Sequence, residues 1–140
     1  MDVIIANSKN VQTRIKKYLN LDSIIIHPPV DVDRYNWIDQ KDYYLSTARL
    51  EPYKRVESIV LAFMQMPEKK LIVASGGSDH RRLEGMAADY PNITFTGWCT
   101  DEQLSKLIGE TIATLYFPMD EDFGMSPVES MAAEASYRDQ

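Results

Sequence analysis

Two groups of residues in this chain have types and spacings that could do chemistry. The first is cationic. Arg49, Lys54 and Arg55 fall within seven positions of Arg49-Leu50-Glu51-Pro52-Tyr53-Lys54-Arg55. A phosphate-bearing ligand needs fixed positive charge and N–H donors; arginine offers a planar fork and lysine a point charge. The second group is acidic. Glu121, Asp122, Phe123 and Gly124 are followed by Glu129. Carboxylates accept hydrogen bonds only, so a pair of them suits vicinal hydroxyls. Each group also has a plainer reading. The cations would equally be solvated surface charges, with Lys54 and Arg55 paired to Glu51 or Glu57. Asp120, Glu121 and Asp122 would form an acidic turn, and Glu129 would close a capping box with Ser126. A capping glutamate can still hold a diol, so the last two readings are compatible.

Other candidates carry less. Ser75-Gly76-Gly77-Ser78 is a turn whose glycines would let backbone approach phosphate, but no G-x-G-x-x-G is present. Gly97-Trp98-Cys99-Thr100 is a turn before a helix cap, with backbone that would accept a flat base. His27 precedes two prolines and His80 falls on a helix surface; neither has a partner at triad spacing.

These residues need a scaffold, and strand-like and helix-like segments alternate along the chain. Val3–Ala6 reads as a strand, followed by a helix capped by Asn7 or Ser8 and running to about Leu19. Ile24–Ile26 is a second β-branched run, stopped by His27-Pro28-Pro29. A polar linker with Asp31, Asp33 and Asn36 divides the chain into residues 1–40 and a main domain over 41–140. There, strands are predicted at Tyr43–Ala48, Leu71–Ala74, Ile93–Phe95 and Ala113–Phe117. Helices are predicted at Arg55–Met66, where Val56, Ile59, Val60 and Phe63 keep the 3.6 period, and at about Asp79–Asp89. Thr100-Asp101-Glu102-Gln103 and Ser126-Pro127-Val128-Glu129 are capping-box patterns opening two further helices, the second with proline at its first position. Repeated β-α-β units with continuous apolar strands imply an α/β fold: a parallel sheet between helical layers. Ligands of such sheets sit outside the carboxyl ends of the strands. All four chemistry-bearing stretches fall in those loops.

Composition excludes other classes. Hydrophobic residues make up 44% and charged residues 26%, which fits a folded domain. Apolar runs of about five residues are far short of the ~20 a bilayer needs. The net charge of −6 argues against nonspecific nucleic-acid binding. One cysteine, Cys99, excludes an internal disulfide and a cysteine metal cluster. A cytoplasmic protein is expected, with at most peripheral membrane association through a longer enzyme.

Taken together, the loops resemble the C-terminal Rossmann-like half of GT-B glycosyltransferases, in the large retaining group that includes mannosyltransferases. The resemblance rests on ANS-x3-Q-x-RI, PPVD, STARLEPYKRVE, SGGSD, NITFTGW and FPMDEDFGMSPVESMAA, in family order through most of the chain. Its most specific part is the combination of Arg-x4-Lys with Glu-x7-Glu. The resemblance implies that Arg49 and Lys54 grip the donor diphosphate and stabilise the leaving group's charge. It implies that Glu121 contacts the donor sugar hydroxyls and that Gly124 and Met125 lie beside the sugar and phosphates. Glu129 would hold the ribose, and Cys99 would fall where backbone meets the nucleobase. The donor would be a GDP- or UDP-hexose, with no other cofactor, no metal and no covalent enzyme nucleophile.

The sequence departs from the family at both ends. Residues 1 to about 20 look like the tail of an N-terminal acceptor-binding domain, which is expected as a missing partner. After Ala133 the family continues with a Pro-Val-Ile-Ala strand, whereas this chain reads Glu134-Ala135-Ser136-Tyr137-Arg138-Asp139-Gln140. Codons for that tail exist that read Lys-Pro-Val-Ile-Ala when shifted by one base. A frameshifted remnant and a plain boundary are both consistent, and the nucleotide sequence decides between them. Weak donor binding and no independent transfer are expected of this chain alone. Two other functions remain open from sequence: a non-catalytic nucleotide-binding or assembly module, and a sugar-nucleotide 2-epimerase of the same fold.

Overall fold

The computed structural model describes residues 3–133. The tail that departs from the family's Pro-Val-Ile-Ala strand, residues 134–140, lies outside the described residues. Contacts divide the chain into two compact units. The first holds the residues up to Val30 together with Asp120–Met125; the second holds Asp31–Met119 and the residues from Ser126 onward.

In the first unit, β1 (Ile5–Ala6) pairs in parallel with β2 (Ile24–Ile25), Ile5 opposite Ile24. Helix α1 (Lys9–Leu19) joins them. Ser8 is its N-cap: the hydroxyl accepts from the Val11 N–H at 3.2 Å, satisfying one of the donors a helix start leaves open. Lys16 and Lys17 sit in the last turn, where the helix dipole favours cations. Asn20 ends the helix in the left-handed conformation, with φ 54°.

The second unit is built on a parallel sheet of four strands: β3 (Tyr44–Ser46), β4 (Leu71–Val73), β5 (Ile93–Phe95) and β6 (Ala113–Thr114). Their order is β5-β4-β3-β6. The chain therefore steps outward from β3 through β4 to β5, then returns to the other side of β3. Helix α2 (Val56–Met64) connects β3 to β4, α3 (His80–Met86) connects β4 to β5, and α4 (Asp101–Glu110) connects β5 to β6. Right-handed crossovers require the returning connection to use the opposite face of the sheet from the first two. The core forms where α2 and α3 meet the sheet: Val56, Val60, Phe63, Leu71, Val73 and Leu83 are all almost wholly buried. The α/β parallel architecture expected from sequence is thus the one observed.

Element ends differ in informative ways. The first strand omits Val3, which is exposed. The strands of the sheet are shorter than their apolar runs: β6 ends at Thr114, although Leu115 and Tyr116 continue the run. Helix α2 begins at Val56 because Arg55 is left-handed, with φ 55°. The capping box at Thr100 forms as expected: the Gln103 N–H donates to the Thr100 hydroxyl at 3.2 Å, and the Thr100 N–H donates to the Gln103 side chain at 2.8 Å. The one expected at Ser126 does not form. Helix α5 (Met125–Ala132) starts before it, so Ser126 is the second helical residue and Glu129 the fifth. Gly124, at φ 82°, lets the chain turn earlier than the serine would have allowed. Pro127 is tolerated because it still lies in the first turn, where amide hydrogens lack intrahelical partners. Among the described residues no helix is long and apolar enough to cross a membrane.

The segment after Asp31 is tied to the sheet's far helix. The Ile38 N–H donates to the Gly109 carbonyl at 2.9 Å, and the Lys41 N–H to that of Glu110 at 2.7 Å. A Cβ at Gly109 would lie 2.3 Å from the Asn36 carbonyl oxygen, whereas one at Gly85 in α3 would meet nothing within 4 Å. Glycine-to-alanine changes inside helices ordinarily stabilise by up to ~1 kcal/mol. Gly85→Ala is expected to raise Tm, and Gly109→Ala to lower it by roughly 3 °C or more. Thermal unfolding of the two variants checks this; a shift of the same sign in both contradicts the docking of the linker.

Candidate functional site

The reversal of strand order sits between β3 and β6, and a doubly wound sheet opens its crevice at such a point. The loop leaving β3 carries Arg49, Lys54 and Arg55. It reaches α2 through a short 3-10 turn over Pro52–Lys54. The left-handed Arg55 stands at the start of α2 without donating a side-chain cap, so the helix N-terminus faces the loop with its amide dipole.

Backbone bonds and close packing fix this loop against its neighbours. The Leu50 N–H donates to the Gly76 carbonyl at 3.0 Å, and the Asp79 N–H donates to the Leu50 carbonyl at 2.9 Å. Gly77 adopts φ 154°, and a Cβ there would fall 2.4 Å from the Leu50 carbonyl oxygen, so the two loops touch backbone to backbone. Glu51 completes the join: its carboxylate accepts from the Ser78 hydroxyl at 2.7 Å and from the Ser78 N–H at 3.2 Å. The loop after β5 joins from the other side. The Trp98 indole covers Gly76, where a Cβ would come within 2.4 Å of Nε1. Cys99, half-buried, has its sulfur 3.2 Å from the Thr96 hydroxyl. The loop after β6 is tied in by the Met119 N–H, which donates to the Tyr53 carbonyl at 2.9 Å.

Two of the three cations lie over aromatic rings. The Lys54 ammonium lies 5.3 Å from the Tyr53 ring centre and 6.0 Å from that of Tyr116, and the Arg55 guanidinium lies 4.7 Å from the Phe117 ring. The two carboxylates nearest in sequence serve other partners. Glu57 receives both guanidinium nitrogens of Arg82, at 2.9 and 3.2 Å, and Glu51 is held by Ser78. Arg49 is exposed and lies close enough to Glu51 to favour its charged form.

Glu129 also belongs to the second unit. It is half-buried on α5, and its charge is felt by Tyr35, a residue only 5% exposed. Burial, and next the Glu129 carboxylate, push the Tyr35 phenol up to about 12. Sequence reasoning missed Tyr35; it stands in the linker, outside the predicted domain, with no spacing relation to Glu129.

Glu121, Gly124 and Met125 belong to the first unit, where α1 holds the acidic turn. Asn10 donates to the Asp120 carboxylate at 3.3 Å and to the Glu121 carbonyl at 3.1 Å. Arg14 pairs with Asp120 at 3.3 Å and also with Asp122. The Glu121 carboxylate accepts from the Asp122 N–H at 3.1 Å, and Asp120 is left-handed at φ 52°. His27 and Phe123 stack beside the turn, with ring centres 5.3 Å apart. Arg14 is the basic residue of ANS-x3-Q-x-RI, a stretch to which sequence reasoning gave no role. Two aspartates bracketing Glu121 were the available signal that a cation would be needed there.

The Glu51–Ser78 join has a testable pH signature. Hydrogen bonds from the Ser78 hydroxyl, and next its N–H, hold the Glu51 carboxyl below its usual value. A carboxyl depressed in the folded state stabilises above its unfolded value, about 4.3, and the contribution disappears as pH falls through the folded one. Wild type is therefore expected to unfold at a higher temperature than Glu51→Gln at pH 7, the gap closing below about pH 4. A gap that persists undiminished at pH 3 contradicts the assignment.

Known proteins share this fold. The family model described as glycosyl transferases group 1 matches residues 28–135. An O-antigen chain mannosyltransferase of Salmonella typhimurium is 27% identical over 93% of this chain, which spans 39% of that protein. A GDP-Man:Man(3)GlcNAc(2)-PP-Dol alpha-1,2-mannosyltransferase of Dictyostelium discoideum is 26% identical over 84% of the chain, 29% of its own length. Among solved structures, a sucrose-phosphate synthase of Thermosynechococcus elongatus superposes with a TM-score of 0.80 at 20% identity, over 93% of this chain and 38% of its own. An Anabaena protein, HepE, solved with UDP and glucose, gives 0.78 at 18% identity, over 93% and 42%. The structural neighbours carry the GT-B glycosyltransferase architecture, and with the family model matching most of its length the chain belongs to the group 1 glycosyl transferases.

Proposed function

We propose that this chain supplies the nucleotide-sugar donor site of a retaining hexosyltransferase. The donor would be a GDP- or UDP-hexose, mannose-like in view of the two mannosyltransferase relatives, and the acceptor a glycan or lipid-linked glycan bound by a separate N-terminal domain. The observation that carries the reading is the cationic loop from Arg49 to Arg55 at the crevice where strand order reverses.

Transfer breaks the bond between the sugar's anomeric carbon and the diphosphate oxygen. Negative charge grows on that oxygen, and Arg49 and Lys54 meet it with fixed positive charge, which lowers the barrier more than it tightens the ground state. The acceptor hydroxyl approaches from the same face as the leaving group. Its oxygen forms the new bond to the anomeric carbon, and its proton passes to the departing diphosphate. Configuration is kept without an enzyme nucleophile, a cofactor or a metal. Glu129 holds the ribose, the backbone near Cys99 receives the base, and Glu121, Gly124 and Met125 serve the donor sugar and phosphates.

A thermal-shift panel of GDP-, UDP- and ADP-sugars tests this. One nucleotide class is expected to raise Tm at millimolar concentration, and Lys54→Ala is expected to weaken that ligand about tenfold or more, as loss of a charged hydrogen bond should. No shift with any sugar nucleotide, or equal binding by Lys54→Ala, defeats the reading.

A further inference from the structure

Trp98 is 70% exposed, the reverse of the burial tryptophan usually finds. Its ring is held in place all the same. An ideal Cβ at Gly76 would fall 2.4 Å from the indole Nε1, 2.6 Å from Cε2 and 2.9 Å from Cδ1. An approach to the ring's edge would leave the two carbons much farther away than the nitrogen. The near-equal distances put Gly76 over the face of the indole. With one face resting on that glycine and most of the residue exposed, the opposite face is open to solvent.

The loop that carries Trp98 is fixed at both ends. Before it, the Thr96 N–H donates to the Val73 carbonyl at 3.1 Å and extends the ladder between β4 and β5. After it, Thr100 closes the capping box of α4. Gly97 turns the chain between them at φ 70°. The seat of the ring is equally firm, because Gly76 and Gly77 also carry the cationic loop. The Leu50 N–H donates to the Gly76 carbonyl at 3.0 Å, and Gly77 packs against the Leu50 carbonyl. Arg49 is the next residue along. One glycine pair thus joins an open aromatic face to a loop of fixed positive charge. A nucleoside diphosphate has the complementary build, a flat base at one end and phosphates at the other.

We infer that the open face of the Trp98 indole is the platform on which the donor's base stacks, and that it makes this site favour purine over pyrimidine nucleoside diphosphates. This rests on the donor-site reading of the cationic loop given above. Backbone near Cys99 can meet the edge of a base but offers little area. Stacking grows with the apolar area covered, and the two fused rings of a purine cover more of an indole than the single ring of a pyrimidine. Every base has a π-face, so the preference is one of degree. A ring already held against Gly76 loses little freedom when a base arrives.

Calorimetry on the chain as it stands tests this with GDP, ADP and UDP, and with inorganic pyrophosphate as the probe that lacks a base. Wild type is expected to bind GDP and ADP about threefold to tenfold more tightly than UDP. Trp98→Leu is expected to weaken GDP about tenfold, bring the three nucleotides close together and leave pyrophosphate unchanged. Trp98→Phe keeps a smaller aromatic face and should fall between. In Trp37→Phe, Trp98 is the single tryptophan, and its fluorescence is expected to drop as GDP binds but not as pyrophosphate does. GDP bound as tightly by Trp98→Leu as by wild type, or UDP bound as tightly as GDP by wild type, overturns the platform. Equal weakening of GDP and pyrophosphate in both Trp98 variants assigns the ring a purely structural role and overturns it as well. In each of these cases phosphate binding by the wild type leaves the donor site standing. A wild type that binds neither nucleotides nor pyrophosphate overturns the donor-site reading, and the inference with it.

Discussion

The pairing of β3 on both its edges is the constraint from which the rest of the second unit follows. Leu45 and Ser46 are fully buried in this strand, which takes β4 on one side and β6 on the other, all in parallel. The ladder continues beyond the strands proper: the Ala74 N–H donates to the Ser46 carbonyl at 2.9 Å, and the Leu115 N–H to that of Leu45 at 2.7 Å. Parallel strands place every outgoing loop at one edge. A reversal beside β3 also leaves no helix bridging the gap between β3 and β6 there, so two loops from distant parts of the chain must fill it.

How those loops keep their shape follows from the same crowding. They are joined largely through main-chain groups at Leu50, Gly76, Asp79, Tyr53 and Met119, with Glu51 as the principal side-chain link. Main-chain joins do not depend on which side chains the loops carry. Chemistry can then be altered at Arg49, Lys54 or Cys99 without undoing the cradle, whereas Gly76 and Gly77 cannot take a side chain without driving into Trp98 or Leu50. The glycine pair that sequence reading treated as an ordinary turn is in fact the surface on which two neighbouring loops rest.

Much of this was legible in the sequence, and the physical nature of each signal explains which parts. The strands at Leu71 and Ile93, and the apolar face of α2, are repeating patterns a few residues long. The Thr100 box is a purely local exchange of two hydrogen bonds and forms where it is written. The Ser126 box was equally well written and lost to Gly124, whose positive φ starts the helix sooner. Local pattern could not weigh that competition. The long-range neighbours of the acidic residues were out of reach for another reason. Tyr35 with Glu129, and Arg14 with Asp120 and Asp122, are separated by about a hundred positions. No periodicity links them, and the linker that contains Tyr35 reads as a polar boundary when judged by composition alone.

The same distinction bears on the charge of the loop. A chain with net charge −6 holds three cations within seven residues beside Glu51 and Glu57, and on spacing alone mutual neutralisation is the natural outcome. The structure sends Glu57 to Arg82, while Glu51 accepts from Ser78 with Arg49 nearby. Two of the loop's cations, Lys54 and Arg55, also lie against aromatic rings. A ring contact limits the freedom of a long cationic side chain. An arginine on α3 takes Glu57, a carboxylate that sequence alone would have assigned to Lys54 or Arg55.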